Sequence, residues 1–493
     1  MRLSVAVMWL LVSASTLAQE GTLQADFRRE GERVSEACKN TGFKGIPGCA
    51  IELFTDHPLH IAAGNLPPQN GFALGLAFVA GKNTKNWRMT WDLDAVGTPN
   101  ASFRAGGYMK MVHTPQEVIK VLTPVPSSGT AASSTTPSAS PLAPTPSGTG
   151  NSATASSASP PNFVHPYAVF NLYAQTISLN KLFFFGLGNN SSLSGQSVFG
   201  MTQTITGVSA IKPVFEWKAI RALNLSLLGE INGRFISVRG NHGESVPSIE
   251  AVYSNVTAPG LASQPSMAQF GEGVRIKPTI FHRLQLNYLG SFQQFAASKE
   301  SHQSFLRWTT DLTHTVNLYS RTQSAINNDS HGPDECAPLK DTCPPVSSSR
   351  NLNGSFGIRL LLSQSFASSA NAVPFYFQPT LGGSDLNGAS ALASYTDYRF
   401  RAPNVLLLQE KFEHSIWGPF GFSFVADQGK VTTVRSDFAF DHLKHSFAAG
   451  VTLRAGGFPM VSLMFAWGGS EGHHNIFTMN SSLLGGSTRP LLF

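Results

Sequence analysis

The sequence predicts an all-β protein: a transmembrane antiparallel β-barrel of about 16 strands with a short N-terminal extension. Three observations predict it. From about Pro379 to Phe493, apolar residues recur at every second position. Phe447, Ala449, Val451 and Leu453 alternate with the small or polar Ala448, Gly450, Thr452 and Arg454. Val461, Leu463, Phe465 and Trp467 then alternate with Met460, Ser462, Met464 and Ala466, and Phe477, Met479 and Leu483 with Thr478, Asn480 and Ser482. Strand side chains point to opposite faces with period two, so each segment shows one greasy face and one small or polar face, as a lipid-facing wall around a lumen requires. Secondly, charged residues make up only 13% of the chain, with 45 Gly and 35 Phe. Mean hydropathy is nevertheless close to zero, so the apolar residues are dispersed. Thirdly, no run after residue 20 approaches the ~18 uninterrupted apolar residues of a spanning helix. Lipid satisfies no backbone N–H or C=O, which leaves a closed barrel as the spanning solution. The competing reading is a large soluble all-β protein of one or two domains, for which a chain of 493 residues is ample.

Residues 1–18 read as a signal peptide. Arg2 supplies the positive start, Val5 to Val12 the apolar stretch, and Thr16-Leu17-Ala18 the small residues before cleavage at Gln19. Export permits disulfides. Cys38 and Cys49 are close in sequence, as are Cys336 and Cys343, and two short-range bridges are the natural pairing among three connectivities. The spacings are not those of a zinc ribbon. The net charge of +6 is spread along the chain and does not point to nucleic acid. Residues 19–68 hold a charged stretch from Asp26 to Glu30 and a candidate strand from Gly48 to Phe54. The piece is too small to hold much core, so it is expected to be a periplasmic tail or an inserted plug.

The barrel is expected to occupy 69–493. Candidate strands run over 71–81, 86–96, 101–113, 166–177, 199–214, 223–238, 268–280, 283–297, 305–319, 354–366 and 374–380, with five more after 403. Residues 123–161 are almost wholly Ser, Thr, Ala, Pro and Gly, a composition that cannot offset the entropy of ordering, and read as a disordered loop. With the first upward strand at residue 70, this insertion falls on the third connection, at the cell surface. The segment of Cys336 and Cys343 also lands outside, and the long connections 178–198 and 239–267 land on the periplasmic side. The chain ends on Phe493, the expected C-terminal barrel signal.

An ordered series of motifs carries a family resemblance. Leu381-Gly382-Gly383-Ser384-Asp385-Leu386-Asn387-Gly388, Arg399-Phe400-Arg401, Asn404 to Gln409, Phe424 to Val431 and Gly450 to Arg454 resemble the carboxy-terminal signature of the BamA/TamA-type outer-membrane barrels, the bacterial surface antigen superfamily. Phe184 to Asn189 is a weaker match. The resemblance implies that the loop between strands eleven and twelve folds back into the barrel. There an arginine at its tip meets carboxylates on strands twelve and thirteen. A guanidinium binds a carboxylate through two parallel hydrogen bonds, and in a shielded lumen such a pair locks the loop.

In this chain Asn387 stands where that arginine would be. Asp427 keeps the strand-thirteen carboxylate, whereas Lys411 occupies the glutamate position and Glu413 a commonly basic one. The expectation is that Lys411 takes over as partner of Asp427. A one-residue shift would restore a carboxylate at Glu410, with Arg399 acting for the missing arginine. The bland alternative is drift in a barrel that no longer uses the loop.

The resemblance implies outer-membrane protein assembly or transport, with outer-membrane lipids, unfolded barrel substrates and the barrel assembly machinery for its own insertion as partners. Folds host many functions, and the periplasmic POTRA modules of the family are missing from the chain, so the activity itself stays an expectation. A passive porin is the second reading, although the assignable lumen positions are mostly small. A barrel-embedded hydrolase is the third. Asn241-His242-Gly243-Glu244-Ser245 faintly invites it, but no nucleophile, base and orienting group stand together, and no enzyme activity or cofactor is expected.

Overall fold

The computed structural model describes residues 58–114, 167–217, 223–280, 283–299, 301–327, 346–368, 372–417, 420–455 and 458–479, with residues 28 and 32. The signal peptide, the four cysteines, residues 123–161 and Phe493 lie outside the described residues. Among the described residues sixteen strands form one sheet in chain order, each antiparallel to the next. They are β1 (Leu59–Asn65), β2 (Phe72–Asn83), β3 (Trp87–Gly97), β4 (Phe103–His113), β5 (Val169–Phe184), β6 (Ser197–Trp217), β7 (Leu223–Gly240), β8 (Met267–Ile280), β9 (Leu284–Ala297), β10 (Phe305–Asn327) and β11 (Val346–Phe366). After a two-residue ribbon, β12 (Thr380–Leu381) with β13 (Phe400–Arg401), the wall continues as β14 (Asn404–Trp417), β15 (Phe420–Thr432), β16 (Lys444–Ala455), β17 (Phe458–Gly469) and β18 (Gly472–Met479). β1 and β18 come side by side, with no ladder between them among the described residues.

The two faces of the sheet are inverted relative to a soluble protein. Large apolar side chains stand exposed on the outside: Leu463 at 60%, Phe477 at 52% and Val451 at 50%, with Leu74, Phe103, Leu172, Ile231, Phe235 and Phe270 around the wall. The alternate positions point inward and are buried, Ala448, Thr452 and Ala466 among them, together with the polar Asp92, Gln203, Asn232 and Gln269. Such an apolar belt is stable only against lipid, because water would make it an aggregation surface. No helix among the described residues is long and apolar enough to cross a membrane, so the strands are the spanning elements.

The strand count agrees with the sequence reading, but its membership does not. The expected strand at 374–380 is instead a 3₁₀ turn, Phe375–Phe377, preceded by Pro374 at φ −56°. All three aromatic side chains are buried, which a two-faced strand in a barrel wall cannot achieve. Conversely, Leu59–Asn65 lies inside the expected N-terminal extension yet is a wall strand, so the barrel begins ten residues before residue 69. Its run, Leu-His-Ile-Ala-Ala-Gly-Asn, has weak alternation and reads poorly as a strand.

That added strand reverses the assignment of the barrel ends. The connections 84–86, 218–222, 281–283, 418–419 and 456–457 are short and share one end. The connections 185–196, 241–266, 367–403 and 433–443 share the opposite, elaborated end. The surface positions expected for the insertion 123–161 and for the Cys336–Cys343 segment fall on residues outside those described. The connections expected at 178–198 and 239–267 belong to the elaborated end. In bacterial barrels the short turns are periplasmic, which moves these two connections from the expected periplasmic side to the surface side.

Candidate functional site: an interior loop across the barrel seam

The loop 367–403, between the eleventh and twelfth wall strands, enters the barrel. Its first half is an aromatic wedge. Phe375 packs with Phe184 and Phe199, each at 5.2 Å between ring centroids, and Phe377 packs with Phe295 at 5.2 Å and Phe305 at 5.8 Å. The wedge therefore braces on β5, β6, β9 and β10 at once. Two buried guanidiniums hold its backbone: Arg401 Nη1 donates to the Phe375 carbonyl at 2.8 Å, and Arg307 Nη2 to the Phe377 carbonyl at 2.6 Å. Each charge also lies over ring faces, Arg307 on Phe295 and Phe305 and Arg401 on Phe184 and Phe375. Carbonyl oxygens and π faces both stabilise a buried cation.

The ribbon of β12 and β13 then pinches the loop, and Gly382 and Gly383 turn it at φ +102° and +60°. A Cβ on Gly382 would lie 2.5 Å from the Arg399 Cβ, so the two passing strands of loop touch only because glycine stands there. At the tip, Asp385 Oδ1 accepts the N–H of Asn387 and of Ala389, both at 2.8 Å, and Gly388 adopts φ +80°. Leu386 points into the core. Burial pushes the Asp385 carboxyl up to about 6, against the Ala389, Asn387 and Gly388 amides and the Arg359 charge that hold it down.

Asp427 is the point where the wall grips the loop, but Lys411 is not its partner. Asp427 stands in register with Gln409. Gln409 Nε2 donates to Asp427 Oδ1 at 2.8 Å and to the Ser390 carbonyl at 3.1 Å, while the Leu392 N–H donates to Asp427 Oδ2 at 2.8 Å. Lys411 faces the lumen as expected, yet it sits opposite Val425, two residues along the strand, and pairs with Glu413 at 2.6 Å. A neutral amide thus takes the place expected for the charged group, since Gln409 already occupies the nearest rung. Glu410 lies on the outer face, in register with Ala426, and takes no part.

Arg399 does act as the loop's arginine, on a carboxylate the sequence reading did not single out. Its Nε meets Glu471 in a short ion pair with both side chains buried, Nη1 donates to Ser191 Oγ at 2.8 Å, and Nη2 donates to the Ser191 carbonyl at 2.6 Å. Its plane lies 5.0 Å from the Phe185 ring and 4.8 Å from Phe400. Thr396 adds its N–H and its Oγ1, both to Glu471 Oε2 at 3.2 Å. Glu471 sits in the tight turn between β17 and β18, seventy-two residues from Arg399, and only the hairpin register brings it there.

The other edge of the sheet is held by the same short segment. Asp397 Oδ2 accepts from Gln69 Nε2 at 2.9 Å, and Tyr398 Oη donates to the Pro68 carbonyl at 3.2 Å, both in the β1–β2 turn. Residues 396–399 therefore bond to the first hairpin and to the last, on either side of the β1/β18 seam. This is a plugged transmembrane barrel with a clasped seam. No protein-family model matches the chain of the plugged barrel, and no curated protein matches it. Among solved structures it is similar to CdiB from Acinetobacter baumannii, at 10% identity over 85% of this chain and 58% of that one with a TM-score of 0.43. It is also similar to BamA from Haemophilus ducreyi lacking POTRA domains 1–3, at 8% identity over 85% and 69% with a TM-score of 0.43. CdiB from Escherichia coli is similar at 10% identity over 84% and 59%, again with a TM-score of 0.43. The plugged barrel spans less than two thirds of the length of either CdiB chain.

Proposed function

We propose that this protein is an outer-membrane barrel of the bacterial surface antigen superfamily that handles envelope polypeptides at its seam, in assembly or in transport, with the interior loop as its gate. The observation that carries the reading is the clasp: residues 396–399 bond to Gln69 and Pro68 on one edge and to Glu471 on the other. A porin has no use for a loop that ties the two ends of its sheet. The first edge strand supports the reading, because β1 has seven residues where the walls β10 and β11 have 23 and 21. A short edge makes few hydrogen bonds and leaves backbone groups available to an incoming strand. Unfolded outer-membrane or secreted chains are then the substrates and outer-membrane lipids the surroundings. Depletion of the protein in its native cell is expected to lower the steady-state levels of other heat-modifiable barrels, or of one exported protein. Unchanged levels of both, together with steady large conductance in planar bilayers, would replace this reading with the porin.

A further inference from the structure

The outer wall of β5, β6 and β7 is apolar up to a boundary, and an arginine stands at that boundary. Leu172, Val208, Ile231 and Phe235 are exposed there as lipid-facing side chains. Toward the elaborated end the same face turns to hydroxyls. Thr176 Oγ1 and Thr204 Oγ1 share a hydrogen bond at 2.9 Å, and two residues further on Ser178 Oγ and Thr202 Oγ1 share another at 3.1 Å. These pairs stand opposite each other in the β5–β6 register and alternate with the buried, inward Gln175, Ile177, Gln203 and Ile205. Arg239 on β7 completes the strip. Val238 packs against the core, so its neighbour Arg239 points outward.

The Arg239 side chain runs back across β6. It stands in register with Gly200, and a Cβ there would lie 2.8 Å from Nε and 3.0 Å from Cζ, so the glycine lets the guanidinium lie against the wall. Nη1 donates to Thr202 Oγ1 at 2.8 Å, and Nη2 donates to Ser178 Oγ and to the Leu179 carbonyl, each at 3.2 Å, and to Asn180 Oδ1. All four acceptors are neutral. The carboxylates of the adjoining 241–266 loop are engaged elsewhere, Glu244 by Lys181 at 2.8 Å, and Glu250 by His242 at 2.9 Å and by Ser248 Oγ at 2.5 Å. Lys181 is thereby neutralised, whereas Arg239 has no ion pair among the described residues. Of its five N–H groups, the one on Nε and one of the two on Nη1 have no acceptor there.

A cation on the lipid side of the wall, where the apolar cover ends, lies at the depth at which acyl chains give way to headgroups. A phosphate at that depth supplies the counter-charge and acceptors for the two remaining N–H groups, through directed, charge-assisted bonds. Four bonds to the wall order the arginine before a lipid arrives, so binding loses little side-chain entropy. A soluble anion would meet the same charge but would forgo the contact of acyl chains with Phe235, Val208 and Leu172.

We propose that Arg239, with the hydroxyls of Ser178 and Thr202, docks the phosphate headgroup of a membrane lipid in the leaflet on the elaborated side, the acyl chains lying along β5–β7. The site is on the outside of the wall, so it stands or falls separately from the gate.

The test is native mass spectrometry of the full-length folded barrel released from detergent micelles and titrated with dioleoyl phosphatidic acid. Saturable retention of the lipid is expected, and dioleoylglycerol, the same chains without phosphate, should not be retained. Arg239→Gln should weaken binding about tenfold, which corresponds to roughly 1.4 kcal/mol. Gly200→Ala pushes the guanidinium off the wall without changing any charge and should weaken binding about threefold or more. Lys212→Gln removes an exposed lysine of the same outer face toward the short-turn end and should leave binding unchanged. Heat-modified gel migration shows which variants are folded, and two independent substitutions at the site keep the test decisive if one of them is not. A folded Arg239→Gln or Gly200→Ala barrel that holds phosphatidic acid as tightly as wild type overturns the proposal and leaves Arg239 as a tie between β5 and β7. A loss with Lys212→Gln equal to that with Arg239→Gln would mark unspecific charge attraction and overturns it as well, as does equal retention of dioleoylglycerol. Glycerol 3-phosphate displacing the lipid at equal concentration would make the site one for soluble phosphate and overturn it too.

Discussion

The interior loop is fastened twice, by opposite means. At its base, Phe375, Tyr376 and Phe377 are buried among rings from four wall strands, with Arg307 and Arg401 bonded to their carbonyls. At its far side, residues 396–399 hold two rim turns by an ion pair and a handful of polar bonds. The first fastening depends on packed area, which is lost only by leaving the core altogether. The second depends on donors and acceptors that water can replace. The base is therefore built as an anchor and the clasp as a latch, and a loop so divided can release the seam while staying in the barrel.

Substitutions can break this contrast in order of size. Phe377→Ala, which opens a cavity between Phe295 and Phe305, should cost about 3–5 kcal/mol, read as a lowered urea midpoint for loss of the heat-modified form. Arg399→Ala leaves Glu471 buried without its guanidinium and should cost about 3 kcal/mol, but locally. Faster amide exchange at residues 394–399 and at the β17–β18 turn, with flickering conductance and little change in global midpoint, is the expected signature. A global midpoint falling as far as for Phe377→Ala would show that anchor and latch are one unit. Asp427→Asn, which weakens the hold on Leu392 and Gln409, should cost about 1–2 kcal/mol, while Lys411→Ala should stay within about 0.5 kcal/mol of wild type. If those two exchanged places, the charge lock at Lys411 would be restored.

The smallest effect is a pH dependence at the tip. Asp385 has its carboxyl raised to about 6 from an ordinary 3.8 by burial, so the folded loop binds a proton more tightly than the unfolded one. Stability from this group is present at low pH and is lost as the pH rises from about 4 through about 6. Protection of the Asn387 and Ala389 amides, relative to their intrinsic exchange rates, should accordingly rise between pH 7 and pH 5, and Asp385→Asn should abolish that rise.

Much of the wall was legible from period-two alternation, because lipid imposes it on every strand. The alternation fails where a second constraint intervenes. Leu59–Asn65 carries apolar or small residues on both faces, since Ala62 packs into the core while Ile61 and Ala63 face out, so the periodicity is blurred. Phe375–Phe377 is apolar enough for a strand but is apolar on all sides, which suits the inside of a plug. The clasp was only half visible. Arg399 stood out as a spare arginine, but Glu471 lies in a two-residue turn whose partner is fixed by the hairpin register and not by any local pattern. Gln409 was passed over because a neutral amide carries no charge signal.

The added strand β1 also decides what a passer-by outside the cell would meet. With the short turns inward, the face offered to antibodies and bacteriophages is the 241–266 excursion, where Val256 is 86% exposed, and the 433–443 loop, where Phe440 is 64% exposed.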